Sequence, residues 1–127
     1  NMRMGGYPAK VKSLVFMSKG QFLATSGAQG VVIWPFGGSA GPMGKEAAEV
    51  GYDASTLVAQ VAGTPTGRRV AAGLEDGRVW VCDLEGQKIE MLKAEKGAAI
   101  TALAISADGK RVAWGDEDGA AGVAEAP

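Results

Sequence analysis

Short apolar runs of five to seven residues recur along the chain, separated by polar turns that contain glycine. Runs of this length, bounded by glycine and proline, are typical of β-strands, whereas an amphipathic helix needs a longer periodic pattern. The runs fall into three groups with the same internal order. The predicted first strands are Val11–Met17, Val58–Thr64 and Ile100–Ser106, the second are Phe22–Ser26, Arg69–Gly73 and Arg111–Gly115, and the third are Val31–Phe36, Arg78–Leu84 and Ala120–Ala126.

The three groups are copies of one repeat. Gly67–Gly77 and Gly109–Gly119 are identical at eight of eleven positions, and a weaker copy spans Gly20–Gly30. The copies start 47 and 42 residues apart, a period typical of a repeat with about four strands. The sequence therefore predicts an all-β protein built from repeated four-stranded units.

The order of side chains indicates where each strand lies within its unit. Ala102–Ile105 is continuously apolar, as expected for an inner strand that is buried on both faces. Lys88–Lys93 alternates polar and apolar residues, and charge at every second position is typical of an outer edge strand. Lys45–Val50 is predicted to be the matching edge strand of the first copy by its register, although its composition favours a helix.

These repeats resemble those of the WD-repeat β-propeller family. Leu23–Gly27 followed by Val32-Ile33-Trp34 is similar to the family's stretch from second to third strand, and Cys82-Asp83 stands where the Trp-Asp pair belongs. The resemblance covers residues 7–126. It implies an all-β, partial β-propeller of about three four-stranded antiparallel blades, the last of them incomplete. The residues around Trp34 also resemble an uncharacterised bacterial branch, which implies a divergent bacterial member.

The repeat register predicts how the chain divides into blades. The first blade is expected over residues 7–51, the second over 52–97 and a three-stranded part of the third over 98–126. Residues 1–6 are interpreted as a tag or linker, because an asparagine precedes the first methionine. Since the family's rings usually contain about seven blades, the chain is expected to be the C-terminal fragment of a larger propeller. Exposed blade faces or edges would then drive self-association.

The composition of the chain argues against several functional classes. A formal net charge of -1 is not the basic footprint of a nucleic-acid-binding domain, and no apolar run reaches the roughly 18 residues of a membrane span. The chain has no histidine, which excludes imidazole catalysis and the family's usual network of His, Ser/Thr, Asp and Trp. Of that network only the turn aspartates Asp76 and Asp118 are retained. The sequence therefore predicts no enzyme activity, no cofactor, no nucleic-acid or membrane partner, and a cytoplasmic location.

The leading functional hypothesis is a non-catalytic scaffold for protein–protein interaction with an unknown protein partner. In the implied propeller, five acidic residues share one face, where they would steer a basic partner; the opposite turns carry basic residues. The simpler interpretation is ordinary solvated turns, in which Asp-Gly serves the backbone. The alternative function is a propeller with a small-molecule or enzymatic site in its central channel, the active groups lying in further blades. The candidate partner-binding residues are Asp53, Glu75, Asp76, Glu117 and Asp118.

Three other features admit a functional interpretation. Gly37–Lys45 resembles a phosphate-binding loop, but Ser39 and Glu46 stand where the pattern needs glycine and Ser or Thr, so a simple connector is favoured. Cys82 is interpreted as a small core residue. The three tryptophans are expected to pack between blades rather than to stack on a ligand; they are Trp34, Trp80 and Trp114.

Overall fold

Antiparallel strands account for the regular structure of this protein. The computed structural model describes residues 4–37 and 46–127, and within those ranges every regular element is a β-strand. The strands are β1 (Leu14–Met17), β2 (Phe22–Thr25), β3 (Val31–Pro35), β4 (Ala48–Val50), β5 (Val58–Gly63), β6 (Arg69–Leu74), β7 (Val79–Asp83), β8 (Glu90–Lys93), β9 (Ile100–Ile105), β10 (Arg111–Asp116) and β11 (Ala121–Glu125).

The strands form three sheets that follow the chain. The first sheet has the order β1-β2-β3-β4, the second β5-β6-β7-β8, and the third β11-β10-β9. Within each sheet a strand pairs antiparallel with its neighbour along the chain. The predicted fold class is confirmed: two four-stranded antiparallel sheets and one of three strands, as expected for partial propeller blades.

The hydrophobic core lies between the sheets. Met17, Ile33 and Trp80 belong to a cluster between the first and second sheets, and Ile100 and Val112 belong to a cluster between the second and third. Alternate residues of a strand point to opposite faces, so the second sheet contributes to both clusters. Every side chain from Val79 to Cys82 in β7 is at most 2% exposed. The second sheet is therefore the element that holds the other two together.

The third sheet departs from the expectation of strands buried on both faces. Ala102 and Ala104 in β9 are exposed, whereas Ile100 is 1% exposed. The reason is that only one face of this sheet packs against the second sheet. The prediction that Ala102–Ile105 is buried on both faces is therefore wrong for this chain, since nothing in the described ranges covers the outer face.

Backbone hydrogen bonds also tie the first sheet to the second. Ser18 and Lys19, between β1 and β2, have φ angles of 54° and 57°, and this left-handed turn directs their backbone N–H groups toward the second sheet. The Ser18 N–H donates to the Thr64 carbonyl (3.3 Å) and the Lys19 N–H to the Pro65 carbonyl (2.7 Å). The Ser18 hydroxyl donates to the Gly67 carbonyl (2.6 Å). The two sheets are thus joined by directional contacts as well as by packing.

Both predicted edge strands form at the outer edge of their sheets. β4 pairs with β3, with Val50 opposite Val31, so the part of the Lys45–Val50 segment from residue 48 onward is a strand and not a helix. β8 is the outer strand of the second sheet. Most of the phosphate-loop-like segment, residues 38–45, lies outside the described residues, so the interpretation of that pattern stays a prediction.

Candidate partner-binding edge

The candidate acidic residues lie along one edge of the stacked sheets. In a meander, alternate turns lie at the same edge, and the β4–β5 loop returns to that edge as well. Backbone hydrogen bonds link these segments: the Asp53 N–H donates to the Gln29 carbonyl (3.0 Å), and the Glu75 N–H donates to the Leu57 carbonyl (2.9 Å). The edge formed by residues 27–30, 51–57, 75–78 and 117–120 is called the upper edge below, and it contains all five candidates.

Arg78 forms ion pairs with two of the five candidate carboxylates. Its guanidinium lies 2.7 Å from Asp53 Oδ2 and 2.7 Å from Asp76 Oδ2, and its side chain is only 16% exposed. Asp53 also accepts hydrogen bonds from the hydroxyl (2.6 Å) and the backbone N–H (2.9 Å) of Ser55. This cluster ties the loop between two sheets to the β6–β7 turn. Asp53 and Asp76 are therefore structural ion-pair residues.

The pKa values of the cluster follow from these contacts. Hydrogen bonds from Ser55, and then one from Arg78, hold the pKa of the Asp53 carboxyl well below its ordinary value. Burial acts to raise the pKa of Asp76, but hydrogen bonds from Arg78 outweigh burial, and the pKa is lowered. The two carboxylates raise the pKa of Arg78, with Asp76 as the larger contributor. All three groups are therefore charged throughout the neutral pH range.

Glu75 has a weaker partner. The Lys12 Nζ atom lies 3.4 Å from Glu75 Oε1, and the two side chains are 52% and 40% exposed. An exposed ion pair of this kind contributes about 0 to 1 kcal/mol and is screened by salt. A charged partner can therefore replace Lys12 at little energetic cost.

The β10–β11 turn carries two carboxylates without an ion pair. Glu117 and Asp118 are exposed, and neither forms a salt bridge within residues 4–37 and 46–127. Asp116, which the sequence pattern does not single out, fixes this turn: its Oδ1 accepts hydrogen bonds from the Asp118 N–H (2.9 Å) and the Ala120 N–H (3.0 Å). In the β6–β7 turn, the corresponding bond goes to Asp76. The two Glu-Asp-Gly turns therefore have the same backbone hydrogen bonds but differ in the aspartate that accepts from the backbone, so Asp118 does not take the role of Asp76.

The opposite, lower edge mixes charges of both signs. A cleft of about 840 Å³ lies there between the β5–β6 and β9–β10 turns. Arg69 spans it, pairing with Asp83 (Nε to Oδ1, 3.2 Å) and donating to the Gly109 carbonyl (2.9 Å). Asp108 and Glu125 also line the cleft. The separation of charge that the turn residues indicate is therefore weaker in the folded protein, because strand ends bring carboxylates to the basic edge.

A hydroxyl network lies on the outer face of the first sheet. The Trp34 Nε1–H donates to the Tyr7 Oη (2.7 Å), and the hydroxyls of Tyr7 and Thr25 share a hydrogen bond of 2.6 Å. No sequence pattern singled out Tyr7, because tyrosine is not part of the family's histidine-based network. Trp80, at 2% exposure, packs between the first and second sheets as predicted, and Trp114 packs against the second sheet.

The free thiol of Cys82 is buried, and the described residues contain no cluster of side chains suited to a metal ion. Cys82 is a free thiol at 2% exposure in the first core cluster, and burial raises its pKa to about 11, so it is protonated and unreactive at neutral pH. No set of three or more His, Cys, Asp or Glu residues in residues 4–37 and 46–127 could hold a metal ion. In the same ranges, no helix has the length and apolar character needed to cross a membrane.

Comparison with known families adds one match. The sequence profile of the anaphase-promoting complex subunit 4 WD40 domain matches residues 64–126, which contain β6 to β11. The match supports a WD40-repeat family. No curated protein matches the chain. WD40 domains generally mediate protein–protein interactions and typically carry no enzyme activity. The WD40 match includes four of the five candidate residues and leaves Asp53 outside.

Proposed function

We propose that the chain is a non-catalytic scaffold for protein–protein interaction, and that its upper edge receives a basic segment of the partner. The observation that carries this proposal is the exposed pair Glu117 and Asp118, which has no ion-pair partner among the described residues. Glu75 adds a third carboxylate once Lys12 is displaced. The WD40 match supports the scaffold role, because the matched domain belongs to a subunit of a protein complex.

The turn that bears Glu117 and Asp118 is fixed before a partner arrives. The Gly119 N–H donates to the Asp116 carbonyl (3.1 Å), and the Glu117 N–H donates to the Ala99 carbonyl (3.0 Å). A preorganised turn loses little conformational entropy on binding. Asp53 and Asp76 differ, because a partner would have to separate them from Arg78 first. Of the five candidates, we therefore assign partner contact to Glu117, Asp118 and Glu75.

Binding of a fluorescently labelled lysine-rich peptide tests this proposal. Anisotropy titrations of the full chain should show binding that weakens with added salt, and Glu117→Gln with Asp118→Asn should abolish it. The matched control is Glu85→Gln with Asp108→Asn at the lower edge, which should bind like the parent. Equal binding of a glutamate-rich peptide, or unchanged binding by the upper-edge variant, would contradict the proposal.

We also propose that open sheet faces drive self-association of the chain. The support is the exposure of Leu14 (60%) and Phe16 (53%) on the first sheet and of Val123 (68%) on the third.

The blade limits 7–51, 52–97 and 98–126 stay a prediction, and the three sheets lie inside them. Membership in a larger bacterial propeller, the cytoplasmic location, the absence of a cofactor and the alternative of a channel site also stay predictions from the sequence.

A further inference from the structure

The first sheet exposes large apolar side chains on the face that is turned away from the second sheet. Leu14 and Phe16 in β1 are 60% and 53% exposed, and Val11, just before the strand, is 40% exposed. The alternate residues Val15 and Met17 pack toward the second sheet. This outer surface, formed by Val11, Leu14 and Phe16, is called the leading face below.

The third sheet exposes small residues on the face that is turned away from the second sheet. Ala104, Ala113 and Val123 lie opposite one another across β9, β10 and β11, and Gly115 lies on the same face. Their alternate neighbours, including Leu103 and Trp114, pack on the second sheet. A Cβ atom on Gly115 would meet nothing closer than 3.8 Å, so no side chain is packed tightly over this glycine. The surface formed by Ala104, Ala113, Gly115 and Val123 is called the trailing face below.

The trailing face is equivalent, by repeat position, to the face of the second sheet on which the third sheet packs. Each of its residues has a counterpart 42 residues earlier on the second sheet: Ala62, Ala71, Gly73 and Val81. Of these, Ala62, Ala71 and Val81 are buried, at 7%, 0% and 1% exposure, in the cluster that receives Ile100, Leu103 and Ile105 of the third sheet. A Cβ on Gly73 would lie 2.8 Å from the Ile100 Cβ, so this glycine makes room for the isoleucine.

The leading face holds the repeat positions that fill that surface. Counting back by 42 and then by 47 residues gives the equivalent positions in the second and first copies. Ile100 is equivalent to Val58 and Val11. Leu103 is equivalent to Val61 and Leu14, and Ile105 to Gly63 and Phe16. The side chains that would complete the trailing face are therefore the ones that the same chain exposes at its other end. The large side chains of one face and the small side chains of the other are complementary in size.

A polar contact repeats in the same way. Across the boundary between the second and third sheets, the Arg69 guanidinium donates to the Gly109 carbonyl (2.9 Å). Arg111 is at the repeat position equivalent to Arg69 in the next copy. Gly20 is at the position equivalent to Gly109, two copies earlier in the chain. The Arg111 side chain makes no hydrogen bond within residues 4–37 and 46–127. It is therefore free to donate to the Gly20 carbonyl of a neighbouring first sheet.

Resting on the self-association proposed above, we infer that two copies of this chain pair with the leading face of each on the trailing face of the other. Two such contacts, related by a two-fold axis, would close a ring of six sheets, within the range of about four to eight blades that propellers form. A ring of three copies would have nine sheets and falls outside that range. The inferred partner is therefore a second copy of this chain in a closed dimer.

Light scattering and sedimentation equilibrium of the full chain, as the parent and as two variants, test the arrangement. The parent should be a dimer, and Leu14→Asp and Val123→Asp should each weaken dimerisation about 100-fold, because either carboxylate would be buried without a partner. Met91→Asp, at an exposed apolar residue on β8 outside both faces (43% exposed), is the matched control and should leave the dimer unchanged. Circular dichroism establishes that each variant is folded, and Leu14→Ser and Val123→Ser replace any that is not.

Mixing the two variants distinguishes this arrangement from its alternatives. At a concentration where the parent is a dimer and each variant alone is monomeric, an equimolar mixture of the two variants should form a one-to-one dimer through the one intact contact. A parent that is monomeric at all concentrations would overturn both self-association and the arrangement. A dimer that only one of the two substitutions disrupts would overturn the arrangement alone, because like faces would then be paired. A dimer disrupted by Met91→Asp and by neither face variant would indicate pairing at strand edges and would also overturn it.

Discussion

The side chain of Ile100 packs directly over Gly73, so that a Cβ atom at Gly73 would lie 2.8 Å from the Ile100 Cβ. Ile100 is 1% exposed, so it is enclosed by the core and does not face solvent. We expect Gly73→Ala to lower the free energy of unfolding by about 1–3 kcal/mol, the usual effect of overpacking a core. Urea denaturation measures it. Gly86→Ala, where a Cβ meets nothing within 4 Å, is the control; equal effects at both positions would contradict the packing described for Gly73.

The Tyr7 hydroxyl supplies the only hydrogen bond seen for the Trp34 indole in the described residues. Tyr7→Phe removes the oxygen that joins Trp34 Nε1 to Thr25 Oγ1, and leaves a partly buried donor without a partner. We expect a loss of about 1 kcal/mol in unfolding free energy, measured by chemical denaturation. Tyr52→Phe, at a 59% exposed position, should change stability little. A neutral Tyr7→Phe would show that the network adds nothing to stability.

Arg78 joins the β4–β5 loop to the β6–β7 turn through two carboxylates. Arg78→Ala leaves Asp53 and Asp76 close together without a counter-charge, and we expect a loss of about 1–3 kcal/mol in unfolding free energy. Lys88→Ala, which breaks a highly exposed pair with Glu90, should cost far less. Thermal unfolding of the two variants beside the parent gives the comparison, and equal shifts in Tm would count against a structural role for Arg78.

The same cluster predicts an acid limit to stability. The pKa values of Asp53 and Asp76 are lowered from an ordinary value of 3.8, so the folded state favours both ionised forms. Their stabilising effect is therefore fully present above about pH 4 and is lost as the pH falls through the lowered values. Denaturation midpoints measured from pH 6 to pH 2.5 should decline at the acid end. Because Arg78 supplies part of the shift, Arg78→Ala should decline less steeply; an identical acid slope would contradict this assignment.

Cys82 provides a direct readout of burial in β7. Since its pKa is raised to about 11 and its side chain is 2% exposed, the folded chain should react with a thiol reagent at pH 7.5 far more slowly than a free thiol does. In denaturant the reaction should become fast and reach one thiol per chain. Absorbance assays with a disulfide reagent give both rates. Rapid modification of the native protein would show that the second sheet opens readily.

The residues of the candidate edge show how far the sequence pattern reaches. The Glu-Asp-Gly turns at 75–77 and 117–119 are visible in the sequence, and both form as turns. The sequence does not reveal that Arg78 forms ion pairs with Asp53 and Asp76. Asp53 lies 25 residues from Arg78 along the chain, and the two meet only because the first two sheets stack. Nor does it reveal that Asp116, and not Asp118, fixes the second of these turns.

The sequence by itself determined the number of repeats, the order of the strands and the positions of the turns. Those features depend on neighbouring residues: strand length, alternation, and glycine where the backbone reverses. Only the tertiary structure decided which face of each sheet is covered. Ala71 and Ala113 occupy the same repeat position, yet Ala71 is fully buried and Ala113 is not, because burial depends on whether another sheet packs there. The proposed pairing between copies, and with it the leading and trailing faces, follows from that difference.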